Sequence, residues 1–303
     1  MSSPADPSAP ACAWPQERPE SCLAIPASDD RRAGSSALAP VLSIRPLGPR
    51  VDGVPLFCLA GDSGLAWSYA GLLAHLDPRV PVYGMQAPAA PTPPRTIGAS
   101  AARVVAEIRR IAPHGPYQLL GWSSGGFVAH EAAVQLRAAG EDVGIVLLDT
   151  DPAVCRDAPP PRLSVGEYVA RFAPQFGVEA DTAALSDDRT AAVLAAALAG
   201  TVELTGVDLA RLADAADAVA GMVVGHRPSV LTGDLTVCVA GRWPDGDERP
   251  DPAAAVRNWR PYVEGAVTGF VLDAAPGELT APEIAPEIAR VLGTVVPTMR
   301  TRC

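Results

Sequence analysis

Residues 121–126 read Gly-Trp-Ser-Ser-Gly-Gly, and the segments on either side of them constrain the fold more than any other feature of the chain. Before them, PYQLLGW (116–122) has the apolar run of a buried strand. After them, GGFVAHEAAVQLRAAG (125–140) spaces apolar residues at helical intervals and closes on Gly140. A G-x-S-x-G between a strand and a helix needs a turn so tight that Cβ atoms at the flanking positions would collide, hence glycine at 121 and 125. The turn lifts Ser123 Oγ above the sheet. It also leaves the Ser124 N–H free at a helix N-terminus, where it can bind a developing oxyanion. In that context Ser123 is expected to be a nucleophile; the plain alternative is a Gly-Ser-rich connection.

The same alternation extends outward. VPLFCLA (54–60), VPVYGM (80–85) and VGIVLLD (143–149) read as strands, and 65–76 and 100–112 as helices. Strands apolar on both faces, alternating with helices, imply a mostly parallel sheet covered on both sides, an α/β fold. Residues 151–230 carry only helical patterns and are expected to form a lid, after which strands resume at 234–241 and 269–274 and a last helix runs over 281–293. Residues 1–40, rich in Pro, Ala and Ser without periodicity, are expected to be a disordered extension of a single domain spanning 41–303.

Composition removes several functions. The net charge is −10, which argues against a non-specific nucleic-acid binder. All 24 basic residues are arginine, so P-loop and lysine Schiff-base chemistry are absent. No apolar run is long enough to span a membrane, and no secretion signal is read at the N-terminus. The six cysteines form no C-x-x-C pair, so no zinc or redox motif is supported. Cys58 and Cys238 fall in strand-like runs and are expected to be buried hydrophobes of a reduced, cytoplasmic protein. No metal and no resident cofactor are expected.

A serine nucleophile of this kind needs an orienting carboxylate at the end of the next strand. Asp149 stands where that apolar run stops, 26 residues after Ser123, with Asp151 as a neighbour. A turn or helix-capping aspartate is the plain alternative.

The segments LFCLAGDSGLAWSYAGLLAHL, PVYGMQAP, HGPYQLLGWSSGGFVAHEAAVQL and VLLDTDP together resemble the thioesterase domains that terminate nonribosomal peptide and polyketide synthases, members of the α/β-hydrolase superfamily. The likeness covers roughly 40–295 and includes LAPVLSIRPLG, which is similar to the linker that follows a carrier protein in such synthases. The resemblance implies an α/β-hydrolase fold and release, cyclisation or transfer of an acyl or peptidyl chain through acyl-Ser123. The substrate would arrive as a thioester on the phosphopantetheine of an acyl or peptidyl carrier protein. Such carriers are usually acidic, like this chain, so docking would rest on a local patch rather than on overall charge.

The pattern departs from the family at two places. After the strand GFVLDA the family carries its catalytic histidine just before a Gly-Glu pair; here Pro276 precedes Gly277-Glu278. Of the four histidines, His130 lies seven residues along the helix from Ser123, roughly 10 Å at 1.5 Å per residue. His75, His114 and His226 match ordinary family positions. The second departure is Ala60-Gly61-Asp62, where the family has His-Pro-Gly or His-Pro-Ala. Position 62 matches the residue whose backbone N–H completes the oxyanion hole with that of Ser124. A carboxylate there can oppose an oxyanion when ionised or accept a proton, and Glu278 is a second candidate for that role. Three readings stay open: a thioester hydrolase, cyclase or acyltransferase with a non-standard base, a catalytically silent relative that binds a carrier protein or an acyl product, or an unrelated hydrolase chemistry such as an esterase.

Overall fold

The computed structural model describes residues 41–46, 48–86, 94–154, 161–172 and 205–297, with the isolated positions 189 and 192. The extension 1–40 and much of the stretch read as a lid lie outside the described residues.

A seven-stranded sheet organises the chain: β1 (Val41–Arg45), β2 (Leu56–Leu59), β3 (Val82–Met85), β4 (Tyr117–Trp122), β5 (Val143–Leu148), β6 (Leu235–Ala240) and β7 (Val267–Leu272). Their order is β1-β3-β2-β4-β5-β6-β7, with β1 antiparallel to β3 and every other pairing parallel. The strand ladder confirms the mostly parallel reading. Within the segment likened to a linker, Val41–Arg45 forms an edge strand that buries Leu42 and Ile44.

The reason β4 reads as one continuous apolar run is visible in its two neighbours Leu119 and Leu120, both fully buried on opposite faces. Leu119 packs with Phe57, Ile145 and the helices α1 (Ile97–Ile111) and α2 (Ser124–Ala138). Leu120 packs with Leu56, Cys58 and Val146 beneath the 3-10 helix Trp67–Ala74 and the last helix. Burying each such side chain contributes roughly 1.5–3 kcal/mol. α1 is capped by Thr96, whose Oγ1 accepts the Ala99 N–H at 3.1 Å, and it buries Ile97, Ala101, Val105 and Ile108 along one stripe. α2 is buried nearly all round, which is why its sequence shows no polar face.

The segment 65–76 forms a 3-10 rather than an α-helix, held where the buried Tyr69 hydroxyl donates to the Leu59 carbonyl at 2.7 Å. Between β5 and β6 the described residues include α3 (Val165–Phe172) and α4 (Gly206–Val223), the latter opened by a reciprocal Thr205–Asp208 capping box and packed on α1 and α2. A short α5 (Ala253–Asn258), unsuspected from sequence, precedes β7, and α6 (Ala285–Thr294) closes the described fold. Cys58 and Cys238 are free and buried in β2 and β6, where burial raises both thiol pKa values, that of Cys238 to about 12. Among the described residues no helix is long and apolar enough to cross a membrane.

Candidate active site

The turn between β4 and α2 is as tight as its glycines imply. Ser123 sits at φ 52°, ψ −122°, a conformation that costs a non-glycine residue roughly 1–3 kcal/mol and persists only when its surroundings enforce it. Here they do. The Ser123 N–H donates to the Leu148 carbonyl at 2.9 Å, and its own carbonyl accepts from the Gly126 N–H and from Thr150 Oγ1, each at 3.0 Å. A Cβ at 121 would lie 2.6 Å from the Gly125 carbonyl oxygen, one at 125 would fall on the Ala60 carbonyl, and one at 126 on Thr150 Oγ1. All three glycines are therefore required for the β2 loop, the serine turn and the β5 loop to meet. As the first residue of α2, Ser124 has no partner for its N–H within the helix.

Facing Ser123 is the loop after β2. Ser123 Oγ donates to Asp62 Oδ2 at 3.3 Å, so the aspartate that ends Ala60-Gly61-Asp62 contacts the serine directly. The loop is fixed by a turn in which the Gly64 N–H meets the Gly61 carbonyl at 2.9 Å, and by the fully buried Tyr168 of α3, whose hydroxyl donates to the Ser63 carbonyl. Burial raises the Tyr168 pKa, which keeps the phenol a donor.

Asp149 ends β5, as expected, at φ 43° with its N–H on the Cys238 carbonyl at 2.8 Å. Its side chain meets an unforeseen partner. Arg249, from the loop after β6, donates Nη1 to Oδ1 at 2.6 Å and Nη2 to Oδ2 at 3.2 Å. The two side chains are 13% and 17% exposed, and the guanidinium lies 4.7 Å over the Trp243 ring. The Ala240 N–H adds a third contact to Oδ1 at 3.3 Å. Both oxygens of the carboxylate are thus held by a cation that has no proton to exchange.

All four histidines lie among the described residues, and none hydrogen-bonds to Ser123. His75 and His114 are exposed, His114 with Nδ1 3.6 Å from Glu141. His130 is fully buried against Trp259, ring centroids 4.7 Å apart, and burial lowers its pKa to about 4. His226 faces Glu131 at 3.7 Å and packs edge-on against Phe127; burial lowers its pKa too, against the pull of Glu131. Pro276 opens a 3-10 turn, Pro276–Glu278, beyond the C-terminal end of β7. Glu278 is exposed there and its carboxylate accepts the Ala275 N–H at 2.8 Å, so of the two acids singled out from sequence it is Asp62 that reaches Ser123.

A mostly apolar cavity of about 300 Å³ opens between α1, α2 and α4, lined by residues that include Met85, Val104, Val128, Val219 and Met222. It adjoins rather than contains Ser123, meeting the turn at Gly61 and Gly125. Sequence reasoning missed Arg249, Trp243 and Thr150. Only Thr150, next to Asp149, offered a local signal.

A serine at positive φ between a strand and a helix, above a mostly parallel sheet with an antiparallel first strand, defines the α/β-hydrolase class. Within it, residues 54–225 match the model of the thioesterase domain, and the chain belongs to that family of serine hydrolases. It is 33% identical over 256 residues to malpinin synthetase of Mortierella alpina, an alignment covering 83% of this chain and 3% of the synthetase. It is also 30% identical over 276 residues to a dimodular nonribosomal peptide synthase of Bacillus subtilis (strain 168), covering 86% of this chain and 11% of that one. The chain therefore spans only a small part of the length of these relatives. Among solved structures, the Vlm2 thioesterase domain superposes with a TM-score of 0.65 at 18% identity, covering 84% of this chain and 96% of that domain. The thioesterase domain that cyclises surfactin gives 0.55 at 17% identity, covering 88% and 100%. Both report the fold.

Proposed function

We propose that the chain takes an acyl or peptidyl group from the phosphopantetheine thioester of a carrier protein onto Ser123 and releases it by hydrolysis, cyclisation or transfer in nonribosomal peptide or polyketide biosynthesis. One observation supports this reading: Ser123 is held at φ 52° by the hydrogen bonds to Leu148, Gly126 and Thr150 and by the close approaches at Gly121, Gly125 and Gly126. Such strain costs stability, and at a serine between a strand and a helix it supports a nucleophile. The backbone N–H groups of Ser124 and Asp62 are the donors for the thioester oxygen as it becomes an oxyanion. The neighbouring cavity is suited to an apolar acyl or side-chain group, and no cofactor is required beyond the carrier's own arm. Of the three outcomes, transfer to a nucleophile stronger than water asks least of a site without histidine.

A second reading, a silent relative that binds a carrier protein or an acyl product, is favoured by the capture of Asp149 by Arg249 and by Pro276. Incubation with an acyl-pantetheine thioester, followed by intact mass measurement, separates the two. The enzyme reading expects one acyl adduct that is lost in Ser123→Ala, and labelling of the same residue by a fluorophosphonate. Absence of both in the wild-type protein would overturn it in favour of the silent relative.

A further inference from the structure

We infer that the carboxylate of Asp62 is the proton acceptor for Ser123, doing in this site what a histidine does in the family at large. The inference rests on the acyl-Ser123 reading above and deepens it.

Three observations converge. Ser123 Oγ donates a long hydrogen bond to Asp62 Oδ2 at 3.3 Å, which puts a carboxylate within reach of the reacting oxygen. The four histidines are accounted for elsewhere, two of them exposed, one stacked on Trp259 and one against Glu131. The carboxylate that would orient an imidazole, Asp149, is held at both oxygens by Arg249, so the far end of a histidine relay is closed as well as empty. The site has been rewired from three residues to two.

The chemistry balances without further groups. As Ser123 Oγ bonds to the thioester carbon, its proton passes to Asp62 and the carbonyl oxygen takes the negative charge. Asp62 becomes neutral at the moment the oxyanion forms beside it, so the site never holds two adjacent anions. The tetrahedral intermediate collapses by breaking the C–S bond, and the departing thiolate takes the proton back from Asp62, leaving acyl-Ser123, a free thiol and an ionised carboxylate. A cysteine thiol ionises near 8.5 in water, so a thiolate of this kind leaves with little acid assistance and the collapse step needs no imidazolium. Water is a poorer reactant than Ser123, so acyl-enzyme accumulates and is discharged fastest by an amine.

The test is the pH dependence of first-turnover acylation of the full chain by an acyl-pantetheine thioester, quenched and read by intact mass. An imidazole base loses its rate tenfold per pH unit below about 6.5. With Asp62 as base the rate is expected to hold level from pH 8 down to 5. Asp62→Asn keeps the backbone N–H of the oxyanion hole and removes only the base, and is expected to lose at least about 100-fold. Asp62→Ala is expected to recover part of its rate on addition of formate, which a purely structural role would not allow. A wild-type rate that falls through pH 6.5, or an Asp62→Asn protein that acylates within threefold of wild type, overturns the assignment while the acyl-Ser123 reading stands. A wild-type protein that takes up no acyl group at all overturns both. Should Asp62→Asn fail to fold by circular dichroism, the wild-type profile decides alone.

Discussion

Replacing Arg249 by methionine removes the cation from Asp149, a carboxylate that is 13% exposed, and among the described residues leaves it only the Ala240 N–H at 3.3 Å. Two unit charges about 4 Å apart attract by roughly 4 kcal/mol at an effective dielectric near 20, and the loss of hydration on burial offsets part of that. Breaking a fully buried pair costs about 3–5 kcal/mol; because both partners keep some contact with water, about 2–3 kcal/mol is expected for Arg249→Met. Asp149→Asn is expected to cost a similar amount, since it strands the guanidinium, whose Nε has no hydrogen-bond partner among the described residues. The double variant should lose less than the sum of the two, with a coupling near 2 kcal/mol. Urea unfolding of the four proteins measures this, and a coupling below about 0.5 kcal/mol would refute the claim that the pair is a structural unit. The same proteins test the site's logic. Where an aspartate orients a catalytic histidine, its conversion to asparagine lowers the rate about 10⁴-fold. Here fluorophosphonate labelling of Asp149→Asn is expected to stay within tenfold of wild type, and a loss approaching 10⁴ would mean that Asp149 still works through a base.

Three further outcomes follow from the geometry. Pro276→His alone is expected to leave hydrolytic turnover within about threefold, because Asp149 is committed to Arg249, whereas Pro276→His combined with Arg249→Met should raise it tenfold or more in a steady-state thioester assay. Ser123→Gly should be more stable than Ser123→Ala by about 1–2 kcal/mol in thermal or urea unfolding, because only glycine occupies φ 52°, ψ −122° without strain; both should lose acylation. His130 is buried neutral, with its pKa lowered to about 4 from an unfolded value near 6.5. Its contribution is fully present above pH 6.5 and is lost as pH falls towards 4, so His130→Phe is expected to flatten the fall in unfolding free energy between pH 7 and 4 by roughly 3 kcal/mol.

The parts of this site that the sequence made legible are those set by local rules. The serine turn follows from glycine spacing between a strand and a helix, because only a missing Cβ lets 121, 125 and 126 meet their neighbours. The central strands announced themselves by being apolar on both faces, and Asp149 by ending one of them. What stayed hidden depends on contacts between distant segments. Arg249 reaches Asp149 across 100 residues from a loop with no periodicity, and nothing in GRWPDGDERP distinguishes it from the other arginine there, Arg242. Asp62 was legible as a departure from the family pattern, but that it meets Ser123 depends on how the β2 loop is pinned by Tyr168 from α3. β1 escaped because two inward residues, Leu42 and Ile44, make too short an alternation to read, and α5 because six alanine-rich residues span under two turns.

The central claim is that a carrier-bound acyl group passes to Ser123. Its most direct test loads a holo carrier protein with a labelled acyl thioester, mixes it with this chain, and follows the label by peptide mass spectrometry over the first turnover. The account expects the label to leave the phosphopantetheine arm and arrive on the peptide containing Ser123, with neither event in Ser123→Ala. Label that stays on the carrier, or leaves it equally fast with Ser123→Ala, would contradict it.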